Sequence, residues 1–266
     1  MLSIHKAVAE NSIQRVQKLI DEGANVNASG FEIRHNGKCT PLQVAAYKGY
    51  EDITELLILN GAMLEAKNQR GETAIHMAIE AKNSKIVYLL LKKGANIEAR
   101  NDMNQTPLHL ATQLGNCEII QLLLDFKADI NAIQTWKTTK TPLQIAIIKD
   151  DVKATRILLK NGANPNLAPT NQLGFGLIPI HIGITLKVFD IVELLIAYNA
   201  DLNLKDHRGY TPMHWAIHRR NMKTMKVLLM HGASVDIQDM NGNNVFEKAL
   251  NMDLDHVAKM IWFDQL

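Results

Sequence analysis

One short motif recurs along this chain at nearly constant spacing. The segment "TPLHLATQLG" begins at position 106, and related segments begin at positions 2, 40, 73, 141, 178, 211 and 244. Successive start positions differ by 38, 33, 33, 35, 37, 33 and 33 residues. A catalytic constellation is assembled once from unlike parts, whereas a unit that occurs eight times is structural. The spacing therefore predicts a stack of similar units.

The first part of the repeat has the signature of a helix start. Thr106 can accept a hydrogen bond from the first turn as an N-cap, and Pro107 stands where a missing amide proton costs nothing. His109 follows at the third helical position, where two other copies carry Gln43 and Gln144. Thr-x-x-Gln is a capping box, and histidine can make similar bonds. The Thr–His pair is therefore interpreted as a helix cap rather than a metal ligand pair.

A second helix and a left-handed turn complete each unit. The segment "CEIIQLLLDF" is dominated by aliphatic residues, and it ends at a position that is usually glycine, which favours a helix C-cap. The glycines at this position are Gly23, Gly61, Gly94, Gly162 and Gly232. Lys127 and Asn199 replace glycine in two units, with some backbone strain expected. The unit is predicted to be helix, turn, helix and a hairpin-like loop.

Such units must stack, because one unit alone cannot bury both of its helices. We expect a single domain over residues 1–266, with units that begin near 2, 40, 73, 106, 141, 178, 211 and 244. The first and last units are expected to act as caps. Lys6 and Glu10 make the first helix polar, and the last unit lacks Thr-Pro. Trp262 and Phe263 are expected to cover the final helix.

These features resemble the ankyrin-repeat family. The resemblance rests on Thr-Pro-Leu-His-x-Ala, on the Gly-Ala turn, on "DINA"-type segments and on the period of 33 residues, and it covers the whole chain. It implies an all-α, curved ankyrin-repeat solenoid with capping units at both ends. Ile178 and Gly183 depart from the motif, so a looser fifth motif is expected. Extra residues at 29–39, 133–140 and 168–177 are expected to enlarge hairpin loops and to be dispensable for folding.

Composition argues against several functional classes. The formal net charge is only +2, which does not favour nucleic acid or an anionic membrane as a partner. The two cysteines, Cys39 and Cys117, form no C-x-x-C motif, which fits a reducing compartment. The N-terminus lacks a signal-peptide core and the apolar runs are short, so a soluble protein is expected. We expect it in the cytoplasm, or in the host cytosol if it is a secreted effector.

Enzyme signatures are absent from the sequence. It contains no G-x-x-x-x-G-K-[ST], no H-E-x-x-H and no G-x-S-x-G. Five of the ten histidines occupy the helix-start position and are interpreted as structural. We therefore expect no catalytic residue, no metal and no cofactor, and the chain is not expected to be an enzyme.

The resemblance implies that partner contacts come from the loops before each Thr and from two positions late in each first helix, on a concave face. The candidate partner-binding residues chosen on this basis are Tyr47, Arg70, Met103, Trp136, Lys205, His207, Arg208, Tyr210, His218 and Arg219. Interfaces are enriched in Tyr, Trp, Met and Arg, and the densest group surrounds the unit at 211. Two alternatives stay open. These charges could serve solubility alone, and Trp136 could fold back onto its hairpin.

The sequence thus favours a non-catalytic protein–protein interaction module, an adaptor or an inhibitor that works as a monomer. An acidic segment of a partner protein is the expected ligand of the basic residues near 208–219. The alternative is a host-directed effector of an intracellular bacterium or a virus that acts by binding a host protein. A nucleic-acid binder is disfavoured, because the basic patch is confined to one unit.

Overall fold

The computed structural model describes residues 4–32, 37–135, 139–170, 176 and 178–264. These residues form sixteen helices, which in chain order are α1 (Ile4–Ala9), α2 (Ile13–Asp21), α3 (Pro41–Lys48), α4 (Glu51–Leu59), α5 (Ala74–Glu80), α6 (Ser84–Lys92), α7 (Pro107–Gln113), α8 (Cys117–Asp125), α9 (Pro142–Ile148), α10 (Val152–Lys160), α11 (Pro179–Leu186), α12 (Phe189–Ala197), α13 (Pro212–His218), α14 (Met222–Met230), α15 (Val245–Leu250) and α16 (Asp255–Asp264). The chain divides into two compact units, unit 1 (Met1–Trp136) and unit 2 (Lys137–Leu266).

Unit 1 is built from four helix pairs, α1/α2 to α7/α8, within its described residues. Each first helix contacts the next first helix, and each second helix contacts the next second helix, so the pairs are stacked. Two short antiparallel strands, β1 (Phe31–Glu32) and β2 (Lys38–Cys39), join α2 to α3. Leu57, Leu90 and Leu123 recur at intervals of 33 residues and are fully buried. The repeat period is therefore also the period of the core.

Unit 2 repeats the arrangement with the helix pairs α9/α10 to α15/α16. Its first helices pack in one row and α10, α12 and α14 pack in a second. Leu158, Leu195 and Leu228 continue the series of fully buried leucines. None of the buried hydrophobic side chains in the described residues is aromatic, so the core is mainly aliphatic.

The helix caps are confirmed at the residues where the sequence placed them. The Thr106 hydroxyl accepts from the backbone N–H of His109, and Nδ1 of His109 lies 2.8 Å from the same hydroxyl. Gln43 closes the equivalent box on Thr40. In addition, Nε2 of Gln43 donates to the carbonyl of Glu72 at 2.8 Å. This position therefore both starts a helix and ties it to the following loop.

The left-handed turn after each second helix is also confirmed. Gly23, Gly61, Gly94, Gly162 and Gly232 have φ values of 84°, 83°, 91°, 94° and 77°. Lys127 and Asn199 adopt the same conformation at φ values of 69° and 61°. Because the left-handed region is unfavourable for residues with a Cβ atom, these two turns carry the strain expected from the sequence.

The fifth motif differs from the others in its caps and in its packing. Ile178 makes no side-chain cap to α11, and neither ring nitrogen of the buried His181 has a hydrogen-bond partner among the described residues. A Cβ atom on Gly183 would lie 3.0 Å from Cγ2 of Val192, so glycine allows α12 to approach α11 closely. The departures from the motif at Ile178 and Gly183 thus alter the polar contacts of this repeat, while the helix pair α11/α12 still forms.

Candidate partner-binding surface

A tight loop presents the residues that precede α13. Oδ1 of Asp206 accepts the backbone N–H groups of Arg208 and Tyr210 at 2.8 and 2.9 Å, and the backbone N–H of Asp206 donates to the Tyr210 carbonyl. Gly209 has a φ of 74°, and a Cβ atom there would lie 2.8 Å from the backbone nitrogen of Met240. The loop is therefore held by the hydrogen bonds around Asp206 and by its close contact with the backbone of the next loop at Met240.

Five side chains gather beside this loop, and we call them the aromatic-basic cluster: Tyr210, Trp215, His218, Arg219 and Lys248. The Tyr210 ring centroid lies 5.9 Å from that of Trp215 and 6.4 Å from that of His218. The guanidinium carbon of Arg219 lies 5.6 Å from the Trp215 centroid, and Lys248 Nζ lies 4.5 Å from the Tyr210 centroid. Cation–π contacts thus hold both cations against aromatic rings.

Acidic groups anchor the cluster from its inner side. Nε1 of Trp215 donates to Oδ2 of Asp206 at 2.8 Å, which fixes the orientation of the indole ring. Lys248 donates to the Tyr210 hydroxyl, and its Nζ lies 3.9 Å from Oδ2 of the buried Asp239. The cluster is consequently ordered before any ligand binds.

The outer part of the cluster carries positive charge. His207, Arg208 and His218 are exposed, and Arg219 is half-buried. Burial, followed by the positive charges of Lys248 and the two arginines, lowers the pKa of His218 below its ordinary 6.5. The imidazole is therefore mainly neutral at pH 7, and the two arginines supply the outward charge.

Lys205 makes an internal contact that sequence reasoning did not anticipate. Its Nζ donates to the carbonyl of Gln238, 33 residues later, at 2.8 Å. Lys67 makes the equivalent bond to the carbonyl of Arg100 at 2.9 Å. A cation at this position thus ties one loop to the next, which gives Lys205 a structural role.

The other sequence-predicted residues lie in unit 1 or outside the described residues. Arg70 pairs with Glu72 and Glu80, with N–O distances of 3.5 and 3.9 Å. Tyr47 and Met103 are half-buried. Trp136 falls outside the described residues. The aromatic-basic cluster therefore contains three of the predicted residues, Tyr210, His218 and Arg219, with His207 and Arg208 on the adjoining loop.

Sequence reasoning missed Trp215 and Lys248. Both occupy a helix position that is apolar in most other units, for example Val44, Leu110 and Ile145, although the first unit carries Lys6 there. An aromatic or charged residue at a position that is apolar in most repeats is the signal that the sequence offers. Such a residue indicates a surface feature of one repeat rather than part of the core that all repeats share.

The described residues offer little for other kinds of site. They contain no group of three or more His, Cys, Asp or Glu side chains that could hold a metal ion. In the same residues, no helix combines the length and apolar character that crossing a membrane requires.

The family model described as ankyrin repeats matches this chain in three copies, over residues 4–101, 94–169 and 167–239. The chain belongs to the ankyrin-repeat family. This membership confirms the predicted all-α ankyrin-repeat fold. Ankyrin repeats are typically non-catalytic, so this ankyrin-repeat chain carries a protein–protein interaction module.

Solved and curated relatives agree with this assignment. The ankyrin repeat domain of Bcl-3, a member of the IkappaB protein family, superposes with a TM-score of 0.74 at 28% identity, covering 85% of this chain and 96% of that domain. The ADP-ribosylation factor GTPase-activating protein AGD4 of Arabidopsis thaliana is 40% identical over 73 residues, which are 27% of this chain and 9% of AGD4. Ankyrin repeat protein FPV014 of fowlpox virus is 33% identical over 99 residues, or 35% of this chain and 21% of FPV014.

The match to these curated relatives spans about a fifth of their length or less, 9% of AGD4 and 21% of FPV014. AGD4 is named for a GTPase-activating function, but only this small share of it resembles the ankyrin-repeat chain. The similarity therefore concerns the repeats and does not extend to the activity of the whole relative.

Proposed function

We propose that this ankyrin-repeat protein acts as an adaptor or inhibitor that binds an acidic segment of a partner protein through the aromatic-basic cluster. The observation that carries the proposal is the stacking of Arg219 on Trp215, 5.6 Å from the ring centroid, beside the exposed Arg208. Arginine binds carboxylates through two parallel N–H···O bonds, and this geometry is specific as well as strong. Two arginines on one surface fit a ligand with closely spaced carboxylates.

The order within the cluster favours binding by lowering its entropic cost. The indole of Trp215 is held by Asp206 at 2.8 Å, and Tyr210 stacks on His214 with 5.6 Å between ring centroids. Side chains that are already fixed lose little rotamer freedom when a ligand covers them. Tyr and Trp then contribute contact area at low cost.

The positive charges of the cluster are nearly balanced by the two aspartates that anchor it. This balance limits which cations can attract an acidic ligand. Asp206 and Asp239 face Trp215 and Lys248 from within, so they offset part of the positive charge. Nε of Arg219 is buried without a hydrogen-bond partner among the described residues. The gain for an acidic ligand therefore comes from Arg208 and Arg219 rather than from Lys248.

One observation favours a second candidate, a host-directed effector that binds a host protein. The fowlpox virus relative is 33% identical over 99 residues. The same surface would then engage a host partner in the host cytosol, whereas the adaptor or inhibitor would work in the cytoplasm of its own cell. Recovery of the bound protein from lysates of the source cell and of a host cell distinguishes the two.

A peptide-display selection tests the proposed ligand class. A random twelve-residue library panned on the chain should enrich peptides rich in Asp and Glu. The double variant Arg208→Glu with Arg219→Glu should weaken the selected peptides at least about tenfold, since charged hydrogen bonds contribute roughly 1.5–3 kcal/mol each. The matched control is Lys153→Glu with Lys160→Glu, which changes the same charge at two exposed positions of α10.

Thermal melts of each variant separate lost binding from lost folding. Lost binding in a double variant with the wild-type melting curve supports the proposal. Unchanged binding in that folded variant would contradict it, as would enrichment of neutral or basic peptides by the wild-type chain.

A further inference from the structure

A second surface lies in unit 1, away from the loops that precede the first helices. A groove of about 760 Å³ crosses the solvent-exposed sides of α4, α6 and α8. The three helices pack side by side in the order α4, α6, α8. The groove is formed by the second helices of three consecutive repeats and is independent of the aromatic-basic cluster.

The floor of the groove is apolar and contains an aromatic ring. Tyr88 is 47% exposed, and Leu89 and Leu122 beside it are half-buried. The Tyr88 ring meets Phe126 edge-on, with 5.8 Å between centroids. An exposed tyrosine that is held by a neighbouring ring is a suitable contact for an apolar side chain.

The walls of the groove are acidic. The acidic residues that line it are Glu51, Asp52, Glu55, Glu118 and Asp125, against a single lining cation, Lys85. Since the whole chain has a net charge of +2, this excess of negative charge is a local property of the groove. It favours an occupant of positive charge.

Two of these carboxylates are available to a ligand on opposite sides of the floor. Glu51 pairs with Lys85 at 3.3 Å and Glu55 pairs with Lys93 at 2.9 Å. Asp52 on α4 and Glu118 on α8 are exposed and make no hydrogen bond or ion pair within the described part of the chain. The free acidic groups therefore belong to the two outer helices.

Helix spacing sets the separation of these two groups. Packed helices lie roughly 8–10 Å apart, so α4 and α8 are separated by about 16–20 Å across α6. An extended chain advances about 3.3 Å per residue and covers this distance in about five or six residues. A partner that reaches both carboxylates in extended form must carry its basic residues at that spacing.

We propose that this groove docks a basic, extended segment of a partner protein. Two Lys or Arg side chains about five or six residues apart pair with Asp52 and Glu118, and an apolar side chain between them covers Tyr88. This occupant has the opposite charge to the ligand proposed for the aromatic-basic cluster, so the two surfaces would select different segments.

Labelled twelve-residue peptides provide the probe. The first has two lysines six residues apart with a central leucine, and the second has the same composition with the lysines adjacent. Fluorescence anisotropy at low salt should show tighter binding of the first peptide. Asp52→Asn with Glu118→Gln should weaken it about fivefold, which lies within the roughly 2- to 30-fold range for two exposed ion pairs, and Tyr88→Ala should weaken it as well.

The matched control is Asp190→Asn with Glu193→Gln, which removes the same charge from exposed positions of α12 in unit 2. Binding in this control should stay within about twofold of the wild type, as expected for charges that touch no ligand. Backbone amide shifts on α4, α6 and α8 should accompany binding of the first peptide.

Several outcomes would overturn the proposal. Equal binding of both peptides, or equal loss in the control, would mean that only general charge attraction is present. Absence of binding to the wild type would also contradict it. Self-association of the chain that is abolished by the Asp52/Glu118 variant would identify a second copy as the occupant. Each of these results leaves the proposal for the aromatic-basic cluster untouched.

Discussion

At the scale of single residues, hydrogen-bond partners determine whether the buried histidine at the helix-start position stabilises its repeat. His76 and His214 bond to the cap of their own helix, and their Nε2 atoms lie 3.3 and 3.2 Å from carbonyl oxygens of the next loop. His181 occupies the same position, but Ile178 offers it no cap hydroxyl. The same type of side chain therefore stabilises two repeats and destabilises a third.

Replacing these histidines by leucine should have opposite effects. His181→Leu removes two buried nitrogens that have no partner among the described residues, and it should raise the free energy of unfolding by about 1–3 kcal/mol. His214→Leu removes the hydrogen bonds of this ring to the Thr211 cap and to the Asn243 carbonyl, and it should lower the free energy of unfolding by a similar amount. Urea unfolding of both variants checks the signs. A loss of stability in His181→Leu would contradict the assignment of unpaired nitrogens.

Acid should destabilise the protein in a defined pH window. Burial lowers the pKa of His76 and of His181 to about 4, against 6.5 in the unfolded chain. A depressed pKa means that stability is full above pH 6.5 and falls as the unfolded state takes up protons between pH 6.5 and 4. At pH 5, each of these two histidines should lower the free energy of unfolding by about 2 kcal/mol relative to its value above pH 6.5.

The measurement is urea unfolding at pH 7, 6 and 5. His181→Leu should lose less stability than the wild type over this range, because one of the two histidines whose pKa falls to about 4 is gone. A variant with the same pH dependence as the wild type would show that His181 does not titrate differently in the folded state.

At the scale of helices and turns, the end of α8 carries avoidable strain. Lys127 has a φ of 69° where Gly94 and Gly162 occupy the equivalent turns. A left-handed residue with a Cβ atom costs about 1–2 kcal/mol of folding free energy. Glycine removes this strain, but it offsets part of the gain because it loses more chain entropy on folding. Lys127→Gly should therefore raise the free energy of unfolding by about 0.5–1 kcal/mol. Thermal melts compare it with Gly94→Lys, which should be destabilised.

The core face of α8 should be far more sensitive than its exposed side. Leu123 is fully buried, so Leu123→Ala should cost about 2–5 kcal/mol through lost burial and the cavity left behind. Leu122 is half-buried on the same helix, and Leu122→Ala should cost less than half as much. Denaturant unfolding gives both values. Similar losses at the two positions would mean that α8 is not held by its buried face.

At the scale of the whole molecule, the described residues of each compact unit form four helix pairs. At least three repeats are needed to bury a continuous core, and unit 1 exceeds this number, so a fragment of residues 1–136 should fold alone. It should be less stable than the full chain, because its last repeat lacks a polar cap. Circular dichroism should show a helical spectrum and a cooperative melt. A fragment without helical signal would show that folding requires the complete chain, as the predicted single domain over residues 1–266 would allow.

Part of the proposed binding surface can be predicted from the sequence, because repetition separates common positions from variable ones. Arg208, Tyr210, His218 and Arg219 are variable positions of a known unit, and the structure places them beside one another. The bond of Lys205 to the carbonyl of Gln238 could not be predicted, since it depends on the path of a loop 33 residues away. Contacts of this kind are invisible to spacing alone.

The sequence by itself determined the local architecture: a 33-residue period, Thr and Pro at helix starts, and glycine at left-handed turns. These are local preferences of the backbone, and eight repetitions make them unambiguous. Only the tertiary structure decided which polar groups find partners. It holds Trp215 on Asp206, gives His181 no partner in the part of the chain that it describes, and brings acidic residues of α4 and α8 to one groove. The physical reason is that hydrogen bonds and ion pairs depend on distances of a few ångströms between residues far apart in the chain, which local preference does not set.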